Sequence, residues 1–271
     1  MSKPTIVVVP GAWHVPEHFS KARTELEAAG YRCVGVELPA NTLNPVIDGR
    51  LLDISDDLEA VRKAVTAELE SHSTINVLVV THSYGSIPGT AALSDLSVAA
   101  RKATGQSNGV VGVVIISGFL LPPGLTMLDA MAGKLPPQYH VENDATLPFA
   151  GPGAIHILYN DLEINEALKA VWHLKPQSYG VLTSKMPDQV AGLKGIPVSY
   201  LLCRKDNAVP WAAQESTVKG LKAAGCEIGI VEIAEASHSP FLSLPSETAR
   251  FIRKAAGEED IASGFEAFEA A

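Results

Sequence analysis

The sequence predicts an α/β protein: a mainly parallel six-stranded sheet flanked by helices, with an inserted cap. Three observations predict it. Six short strand-like runs recur along the chain with helical patterns between them. The third, Asn76-Val77-Leu78-Val79-Val80, is a β-branched run of the kind that makes a buried parallel strand. The alternation then breaks once, over a proline-rich stretch between the fourth and fifth runs, and resumes.

Taken in order, the strands are expected at Thr5–Val9, Cys33–Leu38, Asn76–Val80, Val110–Ser117, Val198–Cys203 and Ile228–Ile233. A helix pattern over Phe19–Gly30 ends in a glycine, which suits the position after a helix C-terminus. Another, Asp56–Ser71, opens on Ser55-Asp56-Asp57 and so offers acidic side chains to its N-terminus. Strand alternating with helix means a sheet covered on both faces, with ligands at the carboxyl ends of the strands. Prolines at 122, 123, 136, 137, 148 and 152 interrupt the break, and one helix is expected within it, at Asp161–His173. Long connections in compact domains are usually functional. Residues 121–190 are therefore read as a cap or lid, with 1–120 and 191–271 forming the core. The tail after Arg253 reads as solvated or loosely packed.

A chain of 271 residues, 46% hydrophobic and 19% charged, is sized for one compact α/β core with an insertion. Its net charge of −9 argues against nucleic acid and against anionic membrane surfaces as partners. The three cysteines form no C-x-x-C pair and no metal spacing, and Cys33 and Cys203 fall in strand-like runs. The apolar stretch from Gly109 to Leu121 is too short for a bilayer, and no cleavage-like region follows Thr5–Val9. The expectation is a soluble cytoplasmic protein acting on a small molecule, with a homodimer as its only expected macromolecular contact.

The chemistry is concentrated at three strand ends. Thr81-His82-Ser83-Tyr84-Gly85 follows the third strand and precedes a helix, the layout of a sharp turn that lifts a serine oxygen out of the sheet. Serine needs a base to take its proton and a third group to orient that base. Asp206 lies in the loop leaving the fifth strand, and His238 in the loop leaving the sixth. Pro10-Gly11-Ala12-Trp13-His14, after the first strand, offers the Ala12 N–H. With the Tyr84 N–H it makes a candidate oxyanion hole. His82 reads as a residue packed under the turn.

These segments, with Ile116-Ser117-Gly118-Phe119, Cys203-Arg204-Lys205-Asp206-Asn207-Ala208-Val209-Pro210 and Ser237-His238-Ser239-Pro240-Phe241, resemble the α/β-hydrolase superfamily over nearly the whole chain. The resemblance is to the branch of plant methylesterases and hydroxynitrile lyases with their bacterial and fungal relatives. It implies Ser83 as nucleophile, His238 as base, Asp206 as orienter and Ala12 and Tyr84 as oxyanion hole, with no metal and no organic cofactor. Three positions depart from the pattern. Thr81 replaces the first glycine of the turn, Pro10 replaces a histidine before the oxyanion-loop glycine, and Pro88 falls early in the helix behind Ser83. Ser239 stands where hydroxynitrile lyases carry a lysine after the catalytic histidine, which disfavours lyase chemistry.

Candidate pocket residues are apolar and aromatic: Trp13, Phe119, Met127, Tyr159, Trp172 and Phe241, together with Phe149 and Leu158. They suit a small hydrophobic carboxylic ester or lactone. Two alternatives remain on the same residues: a non-hydrolytic lyase of retro-aldol or decarboxylase type, and a ligand receptor with negligible turnover.

Overall fold

A computed structural model of the chain describes residues 2–135, 139–147 and 152–269. Seven strands form the central sheet: β1 (Thr5–Val9), β2 (Cys33–Gly35), β3 (Val77–His82), β4 (Val110–Ile116), β5 (Val198–Cys203), β6 (Ile228–Ala234) and β7 (Glu266–Ala267). Their order across the sheet is β7-β6-β5-β4-β3-β1-β2. Every neighbouring pair is parallel except β6 and β7. The sheet thus has one strand more than the sequence suggests, and the extra one comes from the tail expected to be loose. Glu266 and Ala267 pair with Ile233 and Glu232 of β6. Ser263 hydrogen-bonds the buried Glu232 carboxylate, and Phe265 packs edge-on to Phe251. A strand of two residues has no periodicity to betray it.

All residues of β1 and β3 are buried. Alternate side chains face opposite sides of a strand, and here both sides are dry. Ile6, Val8, Leu78, Val80, Val114 and Ile116 belong to one apolar layer with Leu26 and Phe251. Val7, Val9, Val77, Val79, Val113 and Ile115 belong to the other, with Val61 and Val65. Covering both faces is what makes these runs apolar at consecutive positions.

Helix α1 (Ser20–Ala28) ends as Gly30 predicts. Gly30 takes φ +81°, its N–H donates to Glu27 O at 2.9 Å, and Tyr31 N–H donates to Leu26 O at 3.0 Å. Helix α2 (Ile54–Ser71) starts two residues before the predicted point, because Asp53 is its N-cap. Asp53 Oδ1 accepts Ser55 N–H at 2.8 Å while Asp56 Oδ2 accepts Asp53 N–H at 2.8 Å. Asp57 does not join this exposed cap; it is turned inward and fully buried. Helix α3 (Ser86–Ala91) follows a 3-10 turn over Ser83–Gly85, and Pro88 sits in its first turn, where no intrahelical N–H bond is forfeited.

Between β4 and β5 the chain leaves the sheet. A small ribbon of His140–Glu142, Ala145–Leu147 and Gln177–Ser178 is accompanied by short helices over Met127–Ala130 and Pro152–Leu158. Helix α4 (Ile164–Trp172) is shorter at its start than the sequence pattern suggests. Ala154, Leu158, Tyr159, Ala167 and Ala170 form one apolar cluster with Trp13, so the excursion is seated on the loop after β1. Helices α5 (Trp211–Ala223) and α6 (Pro245–Ala255) complete the layers beside β5 and β6. Among the described residues no helix is long and apolar enough to cross a membrane.

Candidate active site

Ser83 takes φ 51°, a left-handed conformation that a non-glycine residue adopts only when its surroundings hold it there. The surroundings are tight. A Cβ at Gly85 would run into the Pro10 carbonyl, and one at Gly11 would come within 2.9 Å of both Ser83 Cβ and His82 Nδ1. These two glycines let the loop after β1 lie directly against the turn. Thr81 is accommodated by a third: a Cβ at Gly89 would lie 2.5 Å from Thr81 Cγ2. The bulk that the usual glycine avoids is thus absorbed one turn into α3. Ser86 Oγ, 2.7 Å from both Ser83 O and Phe119 O, accepts Phe119 N–H at 3.1 Å and ties the turn to the loop after β4.

The loops after β5 and β6 bring Asp206 and His238 together. His238 Nδ1–H donates to Asp206 Oδ2 at 2.8 Å, with both side chains essentially buried. Asp206 is held in turn by Ala208 N–H at 2.7 Å and Val209 N–H at 2.9 Å on Oδ1. Gln214 Nε2 approaches Oδ2 at 3.4 Å and also donates to the carbonyls of Cys203 and Val209. With Nδ1 carrying the proton, His238 keeps Nε2 free to accept one. Ser83 and His238 line the same cavity, of about 240 Å³, with Ala12, Trp13 and Tyr84.

Sequence reasoning missed the supports beneath this arrangement. Asn41 Nδ2 donates to Gly11 O at 3.0 Å and His14 O at 2.9 Å, clamping the loop that contains Ala12. His14 Nδ1–H donates to Ala12 O at 2.8 Å, and Tyr159 O–H donates to His14 Nε2 at 3.0 Å. His18 Nε2–H reaches Ala170 O at 3.0 Å, a second link from this loop to the excursion. His82 is packed under the turn, as the sequence suggests, and there donates Nε2–H to the backbone carbonyl of His238 at 2.9 Å. Burial, and after it the neighbouring imidazoles, holds His14 and His82 well below the ordinary histidine value; burial also lowers His18. His14 and His18 each donate through one ring nitrogen and accept through the other, which the neutral imidazole alone can do.

Asp57 is the second omission. Its Oδ2 accepts Tyr84 O–H at 2.7 Å and its Oδ1 accepts Ala40 N–H at 2.8 Å. Burial pushes its carboxyl up to about 7 despite those two donors, and burial with the adjacent Asp57 pushes the Tyr84 phenol well above its usual value. The contact joins residues 27 apart in sequence on different elements. No local pattern signals it.

The predicted pocket residues divide. Trp13, Phe119, Met127 and Leu158 line the cavity beside Ser83. Tyr159 and Phe241 do not: both are fully buried behind it, Tyr159 on His14 and Phe241 stacked on Phe19 at 3.9 Å between ring centroids. Trp172 is 88% exposed, because α4 turns Ala167 and Ala170 inward and leaves Trp172 on its outer side. Phe149 lies outside the described residues.

Residues 6–251 match the profile of the alpha/beta hydrolase family. The chain is 33% identical over 268 residues to the alpha/beta hydrolase nvfD of Aspergillus novofumigatus, covering 95% of this chain and 98% of that protein. Among solved structures it superposes on methylesterase MES16 from Arabidopsis with TM-score 0.68 at 19% identity, covering 94% and 99% of the two chains. It superposes on a pyrethroid hydrolase from Sphingobium faniae JZ-2 with TM-score 0.65 at 19% identity, covering 95% and 99%.

Proposed function

This chain belongs to the alpha/beta hydrolase family, and on that footing we propose that it is a serine hydrolase cleaving a hydrophobic carboxylic ester or lactone through an acyl-enzyme. One observation carries the reading: His238 is bonded through Nδ1 to a buried Asp206 while sharing a cavity with Ser83 in its strained turn. Ser83 Oγ attacks the carbonyl carbon and its proton passes to His238 Nε2. Asp206 keeps the imidazole in the tautomer this needs and stabilises the imidazolium that forms. The backbone N–H groups of Ala12 and Tyr84 receive the oxyanion. The leaving alkoxide takes the proton from His238, and water repeats the sequence on the acyl-enzyme to release the acid. The names of the structural neighbours, an Arabidopsis methylesterase and a pyrethroid hydrolase, support ester cleavage as the reaction class.

The test is covalent labelling by a fluorophosphonate, read by intact mass. A single adduct on the wild type, absent in Ser83→Ala, is the expected result, with loss of ester hydrolysis in Ser83→Ala and His238→Ala. Full activity in both variants overturns the assignment.

A further inference from the structure

We infer that the natural substrate extends well beyond the chamber at Ser83. Its neutral, mostly apolar body would occupy a second cavity on the far side of Phe119 and Val209. The inference rests on the reading of Ser83 as the nucleophile and adds the substrate class to it. The chamber at Ser83 holds about 240 Å³, whereas the neighbouring cavity holds about 590 Å³. Phe119, Met127, Met131, Ala208 and Val209 line both, so the two spaces lie side by side. Pockets for drug-sized ligands span roughly 300–1,000 Å³. The chamber alone falls below that range and takes only the scissile group with short substituents.

The chemistry of the second cavity restricts its occupant. Its far wall is α5, which presents Ala213, Thr217 and Gly220. Spacings of four and three put these on one helical face, and their small side chains are what leave the space open. The opposite wall comes from Leu120, Leu121 and Pro122. Among the described residues that line it, Asp188 is the only ionisable one and none is a lysine, arginine or histidine. A carboxylate, a phosphate or a coenzyme A thioester would find no cation here and would meet a like charge. Gln189, only 2% exposed, braces this wall through its Oε1, which accepts Leu121 N–H at 3.0 Å. The class is therefore a neutral ester of a long-chain or polycyclic acid or alcohol.

Gly220 supplies the test. A Cβ there meets nothing within 4 Å, so Gly220→Phe fills the second cavity without a backbone clash, and Ala213→Phe does so from the same helix face. For wild type we expect kcat/KM for p-nitrophenyl decanoate or decyl acetate to exceed that for the matching short ester at least tenfold. Mono-p-nitrophenyl sebacate, with its terminal carboxylate, should be poorer than the decanoate. In Gly220→Phe the long-to-short ratio should fall at least tenfold, with Ala213→Phe agreeing and Tm within a few degrees of wild type for both. Binding of the neutral dye Nile red to Ser83→Ala, read by fluorescence, should weaken at least tenfold when Gly220→Phe is added. A wild type that prefers the short ester, or a filled cavity that changes neither the ratio nor Nile red affinity, overturns the inference while leaving the hydrolase reading intact. No hydrolysis of any ester, with no fluorophosphonate adduct, sinks the hydrolase reading instead, and the dye arm still decides whether the cavity binds a neutral body.

Discussion

Replacing Asp57 with Asn should stabilise the protein, and more so as the pH rises. Asp57 is fully buried in α2, accepting bonds from Tyr84 and Ala40, with its carboxyl raised from 3.8 to about 7. Between those values the folded protein holds a proton that the unfolded chain releases, so wild-type stability falls as pH rises through that window. Above about pH 7 the full penalty is present. At 1.36 kcal/mol per pH unit, a shift of about three units is worth ~4 kcal/mol, of which about 3 kcal/mol accrues between pH 5 and pH 8. Asn keeps the shape and carries no charge at any pH. The buried neutral histidines His14, His18 and His82 act in the opposite sense: their depressed values cost stability as pH falls below 6.5. Absolute stability therefore hides the effect, and the difference between Asp57→Asn and wild type isolates it. Urea unfolding of both proteins at the two pH values gives that difference directly. The variant should gain on wild type by about 3 kcal/mol between pH 5 and pH 8. A difference that is flat with pH, or that favours wild type more at high pH, refutes the reasoning.

Three further outcomes follow from the geometry. Gly11→Ala places a Cβ 2.9 Å from Ser83 Cβ and His82 Nδ1. It forces the loop that carries Ala12 away from the serine; with the Ala12 N–H in the proposed oxyanion role, kcat for p-nitrophenyl acetate should drop about 100-fold or more. Asp206→Asn removes the acceptor that fixes the His238 tautomer; kcat should fall by roughly 10³–10⁴ with little change in fluorescence-detected unfolding. Gly89→Ala, with its Cβ 2.5 Å from Thr81 Cγ2, should destabilise by about 1–3 kcal/mol. Thr81→Ser deletes that methyl and should restore most of the loss, giving a coupling of ~1 kcal/mol or more in a double-mutant cycle by urea unfolding.

The features legible in the sequence are the local ones. A buried strand announces itself through consecutive Val and Ile. Ser83, Asp206 and His238 are visible because each follows such a strand within a few residues. The supports are invisible for the complementary reason. Asn41 to Gly11, Asp57 to Tyr84 and Gly89 to Thr81 join positions on different elements, and their meeting depends on how loops and helices pack. Aromatic residues were the least readable. Phe119 and Trp13 face the cavity, Tyr159 and Phe241 lie behind it, and Trp172 faces solvent, yet composition treats all five alike. Side-chain type reports apolarity, whereas lining a cavity is a property of direction.

The short strand β7 has a consequence for how the molecule behaves among its own copies. A sheet edge with unpaired N–H and C=O groups is a template on which another chain can add a strand. On this side of the sheet β6 would be that edge, and its seven residues include Gly229, Val231 and Ile233. Glu266 and Ala267 occupy part of it, and Phe268 N–H adds a bond to Val231 O at 2.9 Å. The exposed Glu266 of β7 then places charge at the edge in place of an apolar strand. A few residues near the end of the chain thus act as a guard against fibre-like self-association, beside the strand whose exit loop carries His238.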